Sequence, residues 1–359
     1  MGALRRSLVP YLDEGGPEYR LVPFSRLREE IIRQVEAEAD EAVGITKRLW
    51  ELRAPIREAL GVVRAPEVDP SSSLVAAVDA GVNGKDTALG FYPVVAAVGV
   101  VFRGGRRAGE PLAATFKMPR TYLEEEEAVK QGALMGFYLQ FELARLLLAE
   151  GMDLVMLDGS LLLRRSRYSP RARRYGSSYL DLFEHANSSL VRLLEEARSS
   201  GVPVVGVVKR VRSSMAVRAL GLSGLSDLAL FQAVLDRGEY AGPFEMGRDA
   251  DELVGWAVRL GLDPDGLAPR AFFLRVGRRT LRVEVPEYCL GEARWIMGLV
   301  LSLSRGDLPI PLAAADSLAR VTNRDASLAY RRLVARVVRS LGPAGADALS
   351  LLTLQHGEV

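Results

Sequence analysis

The chain is short of the residues on which many catalytic chemistries depend. Among 359 residues there is one cysteine, Cys289, and there are two histidines, His185 and His356. A single thiol excludes an intrachain disulfide and any cysteine-rich zinc site. Two histidines leave almost no material for a Ser-His-Asp triad or a histidine-rich metal site. Cys289 follows Glu287-Tyr288 after an expected strand and reads as a small core residue; His185, within an expected helix, reads as a packing or surface residue. Any metal must then be held mainly by oxygen, which favours manganese or magnesium. No run of about 18 uninterrupted apolar residues occurs, and the N-terminus lacks a charged-then-apolar signal pattern. A soluble, cytoplasmic protein without membrane contact is expected.

A strong charge of one sign is also missing: 47 basic residues face 45 acidic ones, for a net charge of +2. The whole-molecule field therefore makes no case for nucleic acid. Lysine is scarce, with five in the chain (Lys47, Lys85, Lys117, Lys130 and Lys209), so arginine supplies the positive charge. Arginine binds phosphate bidentately and stacks on bases.

What is present is a pair of aspartates, each closing a short apolar run. Leu74-Val75-Ala76-Ala77-Val78 leads into Asp79-Ala80-Gly81, and Leu154-Val155-Met156-Leu157 leads into Asp158-Gly159-Ser160-Leu161. Such runs read as strands buried on both faces. A carboxylate where the strand leaves the core suits a hard metal ion. Either motif alone also marks a turn or a helix cap.

The order of elements brings the two together. A charged helical region spans about 25–60, followed by a Pro- and Ser-rich stretch over 64–73. Three strands, 74–79, 91–102 and 112–116, form an antiparallel meander. A long helix over 122–150, the strand ending at Asp158, a basic loop, a helix over 179–199 and a strand over 202–208 complete the core. This predicts an α/β fold: an RNase H-like mixed sheet with flanking helices, plus an N-terminal helical region and C-terminal helices. The domain division expected is 1–65 and 66–359. The core spans about 74–210, and an insertion with short helices near 226–237 and 250–260 spans about 211–270. A pair of strands, 271–276 and 280–285, opens the C-terminal part, 271–359, and either extends the sheet or builds a small subdomain.

The long helix offers the run Glu124–Glu127 and the single Glu142 as further acids. From Asp153 to Asp158 a strand climbs roughly 16 Å at about 3.3 Å per residue. An antiparallel helix covers that height in roughly 11 residues. Counting back from Glu150 lands near Leu139, within a turn of Glu142, so Glu142 is the expected third ligand. The acidic run then complements the helix dipole in a solvated first turn. Asp316, in Pro311-Leu312-Ala313-Ala314-Ala315-Asp316, is a candidate fourth carboxylate on a late helix.

In these motifs the chain resembles the NurA nucleases of archaea and some bacteria. The resemblance rests on Val78-Asp79-Ala80-Gly81, the helix with Glu142, Leu157-Asp158-Gly159-Ser160-Leu161, Val204-Val205-Gly206-Val207-Val208-Lys209, Arg282-Val283-Glu284-Val285-Pro286 and the late 311–319 helix. It implies an RNase H-like, manganese-dependent DNA nuclease (a 5'-3' exonuclease with single-strand endonuclease activity) that works as a homodimer with a HerA-type hexameric ATPase at DNA ends. Asp79, Glu142 and Asp158 match the family's acidic ligands, and Lys209 matches a lysine after the next strand. Two departures stand out: Asp-Ala-Gly where Asp-Gly-Ser is commoner, and Asp316 where histidine is expected. Two manganese or magnesium ions roughly 3.5–4 Å apart would activate water and stabilise the leaving oxygen. Lys209 would steady a phosphate oxygen.

The loop after Asp158 carries Arg164, Arg165, Arg167, Arg171, Arg173 and Arg174 with Tyr168 and Tyr175 interleaved. These are candidates for backbone-phosphate contacts and base stacking on DNA, single- or double-stranded. Two other functions fit parts of the pattern. An actin-like or sugar-kinase-type ATPase also uses Asp-Gly turns, but it needs a duplicated domain that the sequence does not show. A non-catalytic DNA-end adaptor would use the acids only as caps.

Overall fold

The computed structural model describes residues 23–85, 91–116, 125–163, 177–211 and 213–342. The chain divides into two compact units, Met1–Leu52 and Arg53–Val359. The first contains α1 (Leu27–Glu51), a charged helix whose Leu27, Ile31, Ile32 and Val35 are exposed.

The second unit is built on one mixed sheet. Its elements, in chain order, are α2 (Arg53–Ala59), β1 (Val63–Arg64), β2 (Leu74–Lys85), β3 (Tyr92–Arg103), β4 (Arg106–Arg107), β5 (Leu112–Thr115), α3 (Glu125–Leu148), β6 (Leu154–Asp158), α4 (Ser177–Ser200) and β7 (Val204–Val208). Then follow α5 (Met215–Ala219), α6 (Asp227–Val234), β8 (Glu239–Glu245), α7 (Arg248–Arg259), β9 (Pro269–Arg275), β10 (Thr280–Pro286), α8 (Ala293–Ser302), the short pair β11 (Ser304–Arg305) and β12 (Leu308–Pro309), α9 (Ile310–Ala319) and α10 (Asn323–Leu341). The main sheet runs β1-β8-β9-β10-β7-β6-β2-β3-β4, with β5 also paired to β3. Strands β2, β6 and β7 are parallel neighbours, and β3 and β10 flank them antiparallel. This is the expected mixed α/β sheet with flanking helices. Among the described residues no helix is long and apolar enough to cross a membrane.

The central strands form because nothing in them wants water. Leu154, Val155, Met156 and Leu157 of β6 and Val204, Val205 and Val207 of β7 are at most 1% exposed, as expected for strands covered on both faces. Odd positions of β2 and β7 and even positions of β6 point one way: Val75, Ala77, Leu154, Met156, Val205 and Val207 pack with Ile296, Leu299 and Val300 of α8 and with Leu312, Ala315 and Ala319 of α9. On the other face α3 lies across β2 and β3, with Gly136 set against Ala80 and Val82. α4 packs on α3.

Three elements differ from expectation. β2 does not end at Asp79; it continues to Lys85, held by antiparallel pairing with β3 that runs on to Lys85↔Tyr92. The region expected as a helical insertion contains β8, which pairs with β9 and with β1. β1 itself lies at the start of the Pro- and Ser-rich stretch over 64–73, where the sequence predicts no strand. The β9–β10 pair extends the main sheet through β10 and β7 rather than forming a subdomain.

Candidate metal centre

The period-two register of the sheet assembles the site. Asp79 continues the Val75, Ala77 series and Asp158 the Leu154, Met156 series, so both side chains leave on the α8/α9 face. Parallel pairing of β2 with β6 reaches Val78↔Leu157 and stops. Asp79 therefore sits where β2 loses its neighbour, beside the tip of β6. Lys209 continues the Val205, Val207 series one residue past β7. α9 packs over β2 and β3 on this same face and delivers Asp316.

Carboxylate oxygens of Asp79, Asp158 and Asp316 lie within 4.8 Å of one another. The Lys209 ammonium pairs with Asp158 Oδ2, and with Asp316 Oδ1 at 2.6 Å. Arg320, one turn along α9 and its C-terminal cap, reaches Asp316 Oδ2 at 3.6 Å but is 70% exposed. Burial, followed by repulsion from Asp158, raises the Asp79 carboxyl to about 7, even though Asp79 Oδ1 accepts the Ala80 N–H at 2.7 Å. Burial also raises Asp158, against the pull of Lys209. For Lys209 burial acts downward, and the pairs with Asp158 and Asp316 outweigh it, so its affinity for the proton rises. An all-oxygen donor set that carries more negative charge than one lysine balances fits a hard divalent cation.

Glycine allows the close approach of α9. A Cβ on Gly81 would stand 2.0 Å from the Ala319 carbonyl oxygen. The Asp-Ala-Gly departure thus seats the end of the helix that bears Asp316. Gly159, with φ +121°, turns the chain away immediately after Asp158.

Glu142 is not with the aspartates. Its carboxylate accepts from Arg145 Nη1 at 3.0 and 3.1 Å and from Ser189 Oγ at 2.5 Å, tying α3 to α4. The rise count gave the right height and the wrong direction. At the height of the strand tips α3 presents Gln140, whose amide donates to the Val78 and Asp158 carbonyls at 2.9 and 3.1 Å. Two residues further on, a helix has turned by about 200°. Glu124 and the side chains of Glu125–Glu127 lie outside the described residues, as does the loop with Arg164, Arg165, Arg167, Tyr168, Arg171, Arg173, Arg174 and Tyr175.

A buried acid outside the ligand set supports the turn after Asp158. Glu284 of β10 is fully buried; it accepts from Ser160 Oγ at 2.9 Å and from the Leu161 N–H at 2.7 Å, and it pairs with Arg282 at 2.7 Å. Arg282 in turn lies 3.4 Å from Ser213 Oγ, and Ser213 donates to the buried Asp227. The signal was two charged residues in an otherwise apolar strand, Thr-Leu-Arg-Val-Glu-Val.

Comparison with known proteins agrees with this architecture. The NurA domain matches residues 73–321. Among solved structures, the NurA nuclease from Sulfolobus solfataricus superposes with a TM-score of 0.65 at 15% identity, covering 88% of this chain and 98% of that one. A NurA structure with manganese gives 0.57 at 13% identity over 86% and 98% of the two chains. NurA bound to dAMP and manganese gives 0.56 at 12% over 84% and 95%. Among curated proteins no sequence match reaches significance. At such identities the structures establish the fold, and the domain match, spanning well over half the chain, establishes the kinship: the chain belongs to the NurA family.

Proposed function

We propose that the chain is a divalent-metal-dependent DNA nuclease, with Asp79, Asp158 and Asp316 as metal ligands and Lys209 as the cation that contacts phosphate. The observation that carries this reading is the convergence of three carboxylates from β2, β6 and α9 within 4.8 Å on one face of the sheet. Kinship with NurA supports hydrolysis of nucleic acid, and the manganese and dAMP named for related structures support manganese and a nucleotide phosphate at this place.

One or two ions, when bound, supply Lewis acidity and lower the pKa of water. The chain's own residues do the rest. Asp79 and Asp158 hold the cation from rigid backbone positions, since β2 and β6 are buried strands, and Asp316 joins them from α9. Lys209 places a point charge where a nonbridging oxygen of the scissile phosphate gains charge in the transition state. Glu284 fixes the turn at Ser160 and Leu161. Glu142, tied to Arg145 and Ser189, is left out of this ligand set. Family membership supports extending the proposal to processing of DNA ends in the cytoplasm, as a homodimer working with a HerA-type hexameric ATPase and with exonuclease and single-strand endonuclease modes.

The test is cleavage of linear DNA by purified protein with and without manganese, for the wild type and for Asp79→Asn and Asp158→Asn with folding checked by circular dichroism. Loss of cleavage in both variants is expected. Full activity in both overturns the site assignment, and no cleavage by the wild type with either metal overturns the nuclease reading.

A further inference from the structure

We propose that the outer face of α10 is a DNA-backbone binding surface that carries the substrate away from the metal centre. The proposal rests on the nuclease reading above for the identity of the substrate, and on the structure for the surface. Arg324, Arg331, Arg332, Arg336 and Arg339 are all exposed. At about 100° per residue they fall within an arc of about 140° on the helix. The opposite side holds buried Ala326 and half-buried Tyr330, Leu333, Val334 and Val337, and α10 packs on β2 and β3. The arginines thus occupy a solvent face fixed in orientation by the sheet.

Ordinary reasons for surface arginine do not account for the run. None of the five makes an ion pair with a described residue, and Asp325, the helix's own acid, is engaged in a capping box with Thr322. The helix dipole favours Arg339 in the last turn and disfavours Arg324 in the first. The chain as a whole is nearly balanced in charge, so five arginines against one acid in a single helix is a local concentration. α1, by contrast, mixes its arginines with glutamates, as in the Arg33–Glu30 pair.

Continuity with the site selects DNA over an acidic protein as the occupant. Residues 320–322 alone separate α10 from α9, which bears Asp316. Asn83, four residues beyond Asp79 on β2, donates to the Val321 carbonyl at 3.1 Å and to Asn323 Oδ1 at 2.9 Å. The start of α10 is therefore anchored on the strand that carries Asp79, about 13 Å further along it. From Arg324 to Arg339 the basic face extends about 22 Å, the rise of about six nucleotides of one duplex strand. Such contacts position the backbone without reading sequence.

The experiment compares the salt dependence of binding to linear duplex DNA, in chelator so that no cleavage occurs. The proteins are the wild type, Arg331→Gln/Arg332→Gln/Arg336→Gln on α10, and a control with Arg103→Gln/Arg106→Gln/Arg107→Gln at the opposite end of β3. Each lost phosphate contact lowers the magnitude of the slope of log K against log salt by about one. The α10 variant is expected to lose about 2 to 3 in slope and at least about tenfold in affinity at low salt, with the control unchanged. Equal slopes in all three proteins, equal losses in both variants, or no DNA binding by the wild type overturns the proposal; a face made for an acidic protein gives the first of these. Manganese-dependent cleavage assayed in parallel separates the two readings. Cleavage with unchanged slopes removes the α10 surface and keeps the nuclease, whereas a reduced slope without any cleavage by the wild type does the reverse.

Discussion

Glu284 receives the backbone N–H of Leu161 at 2.7 Å, so a fully buried carboxylate on β10 holds the turn that follows Asp158. The same carboxylate neutralises the buried Arg282. Removing one partner of a buried pair leaves the other charge uncompensated. Glu284→Ala is expected to lower stability by about 3–5 kcal/mol, read from urea unfolding, and Glu284→Gln, which retains an acceptor for Leu161, by less. An unchanged urea midpoint for Glu284→Ala would show that the network is not structural.

Lys209 competes with any divalent ion for Asp158 and Asp316, because its ammonium already contacts both. Lys209→Met should therefore bind manganese more tightly in calorimetric titration. Its DNA cleavage rate should fall by about 100-fold, the scale on which a lost transition-state donor acts. Weaker manganese binding would place Lys209 as a support of the ligands instead.

The raised Asp79 carboxyl makes stability depend on pH with a definite sign. Its folded value of about 7 lies above the value of about 3.9 expected in the unfolded chain. Between these values the native state binds the extra proton, so its stability falls as pH rises and levels off above about pH 7. Urea unfolding in chelator from about pH 4 to 8 should show this decline, and Asp79→Asn should reduce it to what the raised Asp158 contributes. Manganese affinity should rise across the same window, since the cation replaces the proton. A stability that instead increased through this range would contradict the burial of Asp79.

Gly81 tests the seating of α9. A methyl group there would meet the Ala319 carbonyl oxygen at 2.0 Å, and backbone atoms cannot rotate aside as a side chain can. Gly81→Ala is expected to cost about 1–3 kcal/mol and, by shifting Asp316, to weaken manganese binding while Asp79 and Asp158 stay in place. Manganese affinity equal to wild type would detach Asp316 from the metal.

The central strands were legible because their sequences are apolar on both faces, and the shared face of Asp79, Asp158 and Lys209 follows from counting by twos along them. Glu142 was misplaced because rise per residue sets how high a helix residue stands, whereas rotation sets where it points. β8, Glu-Tyr-Ala-Gly-Pro-Phe-Glu, carries glycine and proline and has no apolar alternation, so only its pairing with β9 makes it a strand. The tail of β2, Gly-Val-Asn-Gly-Lys, is likewise a strand by virtue of β3. Arg282 and Glu284 alternate with Leu281, Val283 and Val285, a pattern that by itself fits a strand with one solvent face. They are buried because β10 lies inside the sheet, between β9 and β7.

Asp316 reaches the site from near the end of the described chain, whereas Asp79 and Asp158 come from its first half. During synthesis the chain emerges N-terminal end first, so the sheet with its first two aspartates precedes the helix that completes the carboxylate cluster. Until α9 has been made and seated against Gly81, the third carboxylate is missing from the cluster. On the nuclease reading proposed above, the metal centre would then be complete only after almost all of the described chain has been made.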